Sequence, residues 1–420
     1  MKIVIVSEYN HLTSIGGTEY YTHMLAKGLA SSGFQVTFIS SGRQKSGLEE
    51  FVIPINGSSY VLMLLPHTTY TDDEVKQRVI SSSWSEIHTL LQRLEPDIIH
   101  VHTLSTFFNI RHFEVCHGEF NRIIFTSHVP EHFCLKGDMI LNNLEPCDGY
   151  IGLQCNICLF TASFKKGVSS LIRGYVGRLK TNLESIFSMG VLIVCTSEWQ
   201  KKQLLLNGLP ESQIFVIRQA LDTDICNIVM PSPPSKIKLR VGYLGRLTIE
   251  KGAKMLLDLL SQSIHFKDVE FVLGIPPNVD ADLYRSLKDI IKLHGNKIKL
   301  MTHIGADNKA DFFSSIDVLF IPSFCVETGP IVLLEALIHG KVVIAPDNGG
   351  AAEFRNEYSN FVKCYKWNDL KSVLKLINTI TENHLDANTE MRTGFKHSRG
   401  PFISQHIKLY ETLAGRVCQV

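Results

Sequence analysis

The stretch ETGPIVLLEALIHG, residues 327–340, places Glu327 and Glu335 with seven residues between them, around a Thr328-Gly329-Pro330 turn that opens an apolar helix. Pro330 suits the first helical position, where its missing N–H costs nothing. Ile331, Val332 and Leu333 then offer backbone amides at a helix N-terminus, whose partial positive charge makes it a ready phosphate site. Glu335 lies further along the same helix, about 7 Å past Pro330 at about 1.5 Å per residue. Carboxylates are poor phosphate ligands but good acceptors for sugar hydroxyls. Two of them bracketing a phosphate-binding turn ask for a ligand with a hydroxyl-rich group at each end of a phosphate bridge. A nucleotide sugar, with ribose, diphosphate and hexose, has that layout. The bland alternative is that both glutamates are solvated, as most are. Against it, Glu335 sits inside IVLLEALI, where an unpaired charge is expensive.

A diphosphate also needs cations. LGRLTIEKG, residues 244–252, supplies Arg246 and Lys251 between Gly245 and Gly252, directly after a strand-like run, where a loop can present both to phosphate oxygens. Taken alone, two charges in a loop are common and weakly diagnostic. Asp222-Thr223-Asp224 is a D-x-D, a pattern that elsewhere binds divalent metal, and it reads here as structural. Cys134, Cys147, Cys155 and Cys158 include a C-x2-C; four thiolates suffice for a structural tetrahedral zinc, and the alternative is small buried or free thiols. Residues 164–187 interleave Lys165, Lys166, Arg173, Arg178 and Lys180 with Phe164, Leu171, Ile172, Tyr175 and Leu179. Such a basic amphipathic helix is either a surface helix with a solvated face or a contact for an anionic membrane.

These residues need a scaffold, and the pattern supplies one. KIVIVSEY reads as a strand, NHLTSIGG as a loop, TEYYTHMLAKGLASSG as a helix ended by Gly33, and QVTFIS as a second strand. Strand, Gly-rich loop, helix, strand is the unit of a parallel sheet covered by helices. PDIIHVHT and RIIFTSH read as further strands that end in histidine-bearing segments, at His100, His102 and His128, and ligands of such sheets bind at the carboxyl ends of strands. VLIVCTSEW and IFVIRQALD continue the pattern. CNIVMPSPPSKIK, residues 226–238, carries three prolines and is the linker candidate. After it LRVGYLG, VEFVLGI, IKLMTHIG, DVLFIPS and KVVIAPDN alternate with helical segments, so the second half is also doubly wound α/β. The expected organisation is an N-terminal domain over 1–225, a C-terminal nucleotide-sugar domain over 226–400, and a helix at 401–420 packing back toward the first.

Composition narrows the function. The chain has 420 residues, 45% hydrophobic and 20% charged, enough for two cores. Forty-two basic against 41 acidic residues leave a net charge of +1, so no global field argues for nucleic acid, and any anion must be met locally. MKIVIVSEYN is too short an apolar run before Glu8 for a signal segment, and residues 51–71 are interrupted by Pro54, Asn56, Gly57 and Pro66, which excludes a spanning helix there. The expectation is a cytoplasmic protein, or one peripheral at the inner membrane face.

GRLTIEKG followed by PSFCVETGPIVLLEALIHGKVVIAPDNGG resembles the retaining glycosyltransferases of glycosyltransferase family 4, with their GT-B fold. GGTEYYTHMLAKGLASSGFQVTFIS, PDIIHVH, FTSH and VIRQALDTD extend the resemblance over essentially the whole chain. It implies two Rossmann-like domains facing across a cleft, and transfer of a sugar from a nucleoside diphosphate to an acceptor hydroxyl, with retention and without a metal. Arg246 and Lys251 would hold the diphosphate, Glu335 the ribose, and Glu327 the transferred sugar. Backbone of Thr328, Gly329, Pro330, Ile331 and Val332 would line sugar and phosphate; Gly245 would shape the phosphate loop. Gly16 and Gly17 would let the N-terminal loop approach the donor, and His128 matches a histidine that touches the donor sugar. Two departures stand out: Ser127-His128-Val129 lacks the usual following Asp, and Arg218-Gln219-Ala220-Leu221-Asp222 replaces the usual Asn-Gly-Val-Asp. Acceptor identity, whether glycan, lipid-linked or small molecule, is left open. The rival readings are a GT-B-fold sugar-nucleotide epimerase or hydrolase, or a non-catalytic nucleotide-sugar-binding protein.

Overall fold

The computed structural model describes the chain except residues 14–15, 76–78, 121, 131–132, 135, 142–144, 152–154, 156–157, 159–181, 223–237, 277–278, 303, 306–307, 383–394 and 417–420. The linker candidate and the basic amphipathic stretch therefore fall almost wholly outside the described residues, as do Thr223 and Asp224. The chain divides into two compact units, Met1–Ala220 with Ser398–Val420, and Leu221–His397.

Unit 1 is an α/β layer structure around one eight-stranded sheet. Its elements are β1 (Lys2–Val6), α1 (Gly17–Ser31), β2 (Gln35–Ser41), β3 (Glu49–Ile55), β4 (Ser58–Leu65), α2 (Trp84–Leu94), β5 (Ile98–His102), α3 (Ile110–Phe120), β6 (Ile123–Ser127), β7 (Leu192–Cys195), α4 (Glu198–Leu206) and β8 (Ile214–Val216). Strands run in the order β3-β4-β2-β1-β5-β6-β7-β8. β5, β6 and β7 are buried along their whole length, which is why they read as apolar runs without alternation. One feature departs from the all-parallel expectation. β3 and β4 form an antiparallel hairpin in which Ile55 pairs with Ser58 across Asn56-Gly57, and Gly57 takes φ +76°. Asn-Gly is the residue pair such a tight turn demands. β3 is largely exposed, so its pattern carries little strand signal.

Unit 2 is a six-stranded sheet in the order β11-β10-β9-β12-β13-β14, every strand pairing among the described residues parallel. Its elements are β9 (Leu239–Leu244), α5 (Ala253–Ser261), β10 (Val269–Ile275), α6 (Ala281–His294), β11 (Ile298–Thr302), α7 (Lys309–Ser314), β12 (Val318–Phe320), α8 (Ile331–Ile338), β13 (Val342–Pro346), α9 (Gly349–Glu357), β14 (Val362–Tyr365) and α10 (Leu370–Glu382). Val241, Phe271, Leu273, Val318 and Ile344 from the strands pack with Leu256, Leu260, Val373 and Ile377 from the helices.

The last helix, α11 (Arg399–Arg416), belongs to unit 1 and lies on α1. Phe402, Ile403, Leu409, Tyr410 and Leu413 join Tyr21, Met24, Leu25 and Leu29 in one buried cluster. Gly28 permits that approach, since a Cβ there would overlap the Ile403 side chain. Among the described residues no helix is long and apolar enough to cross a membrane.

In each sheet the strand order reverses once. Successive strands leave β1 in one direction and β5 in the other; in unit 2 they leave β9 and β12. Loops that follow two such diverging strands open a crevice at their carboxyl ends, where ligands of open α/β sheets bind.

Candidate functional site

The loops after β9 and β12 flank the switch point of unit 2, and they carry the residues singled out for a diphosphate. The β9 loop turns at Gly252, whose φ is +77° and whose missing Cβ would otherwise overlap the Pro322 carbonyl. Close backbone contact pins it to the end of β12: the amides of Phe324 and Cys325 donate to the Glu250 carbonyl at 2.9 and 3.1 Å. The Tyr243 hydroxyl fixes the start of the loop by donating to the Arg246 carbonyl at 2.6 Å. Lys251 Nζ consequently reaches Glu327 Oε1 at 2.9 Å, and the Ser323 hydroxyl donates to the same oxygen. Burial alone would push the Glu327 carboxyl up, but the Lys251 charge, the Ser323 hydroxyl and the nearby Arg246 together hold it below its ordinary value. Glu327 in turn raises Lys251 against its own desolvation. The Arg246 side chain is exposed at the same loop.

Below Glu327 the chain is packed too closely for side chains. Gly350 N donates to the Glu327 carbonyl at 2.8 Å. Gly349 takes φ +62°, and a Cβ on it would stand 2.5 Å from the same carbonyl; one on Gly350 would overlap the Thr328 carbonyl. The Gly349-Gly350 pair thus lets α9 support the Glu327–Thr328 turn. Two details of the expected helix start are corrected. Pro330 is the N-cap, extended at φ −71° and ψ 120°, and α8 begins at Ile331. The Leu333 amide is not open, because it donates to the Pro330 carbonyl at 3.1 Å. Only the first two helical amides, of Ile331 and Val332, have no carbonyl within the helix to meet.

Glu335 is buried on α8, as its apolar surroundings in the sequence required, and Lys309 Nζ at the start of α7 holds its Oε1 at 2.6 Å. Lys309, Ser323 and Tyr243 are site residues the sequence reading missed. Lys309 lies 26 positions from Glu335 and only the fold brings them together; Ser323 and Tyr243 meet partners four and three positions away, across turns whose geometry the pattern did not reveal.

The remaining expected residues lie in unit 1. His128 follows β6, buried to 5% exposure, with its ring edge-on to Tyr21 at 4.7 Å between centroids and its Nε2 2.9 Å from His102 Nδ1. Its ring is thus held inside the unit. Gly16 caps α1, and the space a Cβ would take there is filled by the Glu19 carboxylate; at Gly17 the nearest atom is Gln219 Nε2, 3.8 Å from such a Cβ. The zinc expectation is not supported. Cys134, Cys147, Cys155 and Cys158 lie within electrostatic reach of one another. Yet among the described residues no three His, Cys, Asp or Glu side chains are grouped to hold a metal. Desolvation raises the thiols of Cys134, Cys147 and Cys158, as expected of protonated, packed cysteines.

Two helix-covered sheets whose strand order reverses, one of them with a cation-bearing, Gly-pinned crevice at the reversal, define a doubly wound α/β protein of Rossmann-like build. The chain belongs to the glycosyltransferases: residues 15–225 match the family described as Glycosyltransferase Family 4, and residues 231–393 match Glycosyl transferases group 1. It is similar to an uncharacterized 42.6 kDa protein of the cps region of Klebsiella pneumoniae, 21% identical over 89% of this chain and 92% of that protein. Among solved structures it resembles sucrose-phosphate synthase from Thermosynechococcus elongatus, with a TM-score of 0.71 and 16% identity over 99% of both chains. It also resembles the Anabaena protein HepE in complex with UDP, with a TM-score of 0.65 and 16% identity over 98% of this chain and all of that one. The fold is that of the GT-B glycosyltransferases.

Proposed function

We propose that the protein transfers a sugar from a nucleoside diphosphate sugar to an acceptor hydroxyl, with retention at the anomeric carbon and with protein cations in place of a metal. The observation that carries this reading is the Lys251–Glu327–Ser323 constellation, with Arg246 on the same loop, at the switch point of unit 2. Lys251 and Arg246 meet the diphosphate and stabilise the charge that develops on the departing nucleotide. The amides of Ile331 and Val332 add donors at the start of α8. Glu327, ionised and held by Ser323, accepts from a hydroxyl of the transferred sugar. Glu335 has one oxygen on Lys309 and a second to accept from ribose. The UDP in the structure of HepE favours a uridine nucleotide as the first donor to try.

In unit 1, Gly16 and Gly17 admit a donor phosphate to the start of α1 once the Glu19 carboxylate, which fills the space over Gly16, turns away. His128, as placed here, acts on the sugar only after its ring leaves His102. The test is a transfer assay with UDP-, ADP- and GDP-sugars in chelator, reading the anomeric proton of the first-formed product. An α product from an α-linked donor is expected. A β product would overturn retention, and activity only with added divalent metal would overturn the role given to the two cations.

A further inference from the structure

The chain passes between the two units twice, at residues 220–221 and 397–398. Both crossings are tied to one place in unit 2. The Leu221 amide of the first donates to the His397 carbonyl of the second at 2.8 Å. His397 Nε2 stands 3.2 Å from both carboxylate oxygens of Glu357, the last residue of α9, and its ring lies edge-on to Phe354 at 5.3 Å between centroids. The Tyr358 hydroxyl, one residue further on, accepts the Lys396 amide at 3.2 Å. His397, Phe354 and Tyr358 are buried, so water competes little for these bonds.

The other end of α9 carries the Glu327–Thr328 turn. Gly350 N donates to the Glu327 carbonyl, and the missing Cβ atoms of Gly349 and Gly350 leave the helix backbone directly against the Glu327 and Thr328 carbonyls. Backbone set on backbone has no flexible side chain to absorb a displacement. Asn348, the N-cap, makes no side-chain capping bond, and both polar atoms of its amide are buried without a partner. The start of α9 is therefore held by the turn and not by its cap. Between the two ends runs one continuous helix of nine residues, a hydrogen-bonded rod about 13 Å long at about 1.5 Å per residue. The Tyr358 amide donates to the Phe354 carbonyl at 2.8 Å, so the gripping residues move with the rod.

We propose that α9 couples the nucleotide-binding turn to the two chain crossings, with Glu357, Tyr358 and His397 as positioning residues for the transfer reaction. The proposal rests on the nucleoside diphosphate reading above and adds to it a route by which the bound nucleotide is felt elsewhere. A phosphate that engages Lys251 and the amides at the start of α8 stiffens or shifts the Glu327–Thr328 turn. α9 carries that change to Glu357 and Tyr358, and their hold on His397 and Lys396 passes it to both crossings. Linkage makes the effect reciprocal: a change at the crossings that weakens this hold weakens the nucleotide by the same factor. All three residues act through the turn.

The test is hydrogen exchange read by mass spectrometry on the full chain, as wild type, His397→Ala, His397→Gln and Tyr358→Phe, each alone and with UDP, ADP or GDP. Alone, His397→Ala should speed exchange at residues 327–333 about threefold or more, while residues 269–275 in β10 exchange as in wild type. His397→Gln keeps a donor for Glu357 and should restore the wild-type rate. With nucleotide, wild type should gain protection at residues 219–222 and 395–398 as well as at 327–333. In His397→Ala the turn should still gain protection, the crossings should not, and nucleotide affinity should fall about fivefold or more. Tyr358→Phe lacks only the hydroxyl that holds Lys396, so it gives the same pattern in weaker form if His397→Ala fails to fold. Faster exchange everywhere, or a nucleotide-dependent difference that the variants leave intact, would mean a merely structural clasp and overturn the coupling. Wild-type crossings left unprotected while the turn is protected would overturn it too, with the donor reading standing. Protection by none of the nucleotides would sink the donor reading, and the ligand-free comparison would still decide the coupling.

Discussion

The two units share one construction, a doubly wound sheet whose order reverses at a central pair of strands, yet their crevices differ in charge and rigidity. In unit 2 the loops after β9 and β12 are locked by Gly252, Gly349 and Gly350, and Lys251 neutralises the Glu327 carboxylate as Lys309 does that of Glu335. In unit 1 the loops after β1 and β5 hold a carboxyl raised by burial. Behind them stands a set of buried neutral imidazoles. His100 bonds Tyr410 at 2.6 Å and Thr126 at 2.7 Å, and His406 bonds Tyr21 at 3.0 Å. Topology therefore decides where a ligand sits, and residue type decides which ligand it is. Fixed cations suit a diphosphate; a crevice lined by a carboxyl does not.

The largest effect expected is on turnover. Lys251→Ala removes one of two diphosphate cations and leaves Glu327 without its counter-charge, so kcat/KM should fall about 10²–10³-fold while the circular dichroism spectrum stays native. Unchanged turnover would erase the functional contrast between the two crevices.

Acid should separate the units next. Burial lowers His100, His102 and His406, the last from 6.5 to about 4. The unfolded chain then binds protons that the folded one refuses. Stability is full above about 6.5 and is lost as pH falls from there toward 4. His406 alone accounts for on the order of 3 kcal/mol at the end of that range. Glu327 is held below 4.5, so the contribution of its pair persists until pH falls below that value. Hydrogen exchange at pH 5 should show β5, β6 and α11 opening before β9, β12 and α8; the reverse order would contradict this account.

A smaller contrast concerns backbone. Gly252→Ala forces a left-handed residue against the Pro322 carbonyl and should cost about 1–3 kcal/mol in thermal or denaturant unfolding. Gly16→Ala meets only the flexible Glu19 carboxylate and should cost under about 1 kcal/mol. Smallest of all, Lys309→Met should change nucleotide affinity a few-fold, because Lys309 orients Glu335 without holding phosphate. A loss as large as that of Lys251→Ala would reassign Lys309 to the diphosphate.

Much of the fold could be read in the sequence because buried parallel strands announce themselves as continuous apolar runs between Gly-rich loops. PDIIHVHT, DVLFIPS and KVVIAPDN all lie on observed strands. The β3–β4 hairpin escaped notice although Asn56-Gly57 marks its turn, since an exposed edge strand lacks the apolar alternation that flags the others. In the site, Glu335 inside an apolar helix betrayed a special role by cost alone. The return of the last helix to the first unit was legible, but the partner Lys309 and the bonds of Tyr410 to His100 and His406 to Tyr21 were not. They join residues whose proximity is decided by packing of whole layers, with Tyr21 and His406 lying 385 positions apart. Pattern within one segment carries no trace of such contacts.

The most direct test of the account is calorimetric titration of UDP, ADP and GDP into wild type and Lys251→Ala in the presence of chelator. The account predicts that wild type binds at least one nucleotide without metal, and that Lys251→Ala binds it at least about tenfold more weakly. No binding to wild type, or equal affinity for the two proteins, would contradict the assignment of the β9–β12 crevice to a nucleoside diphosphate.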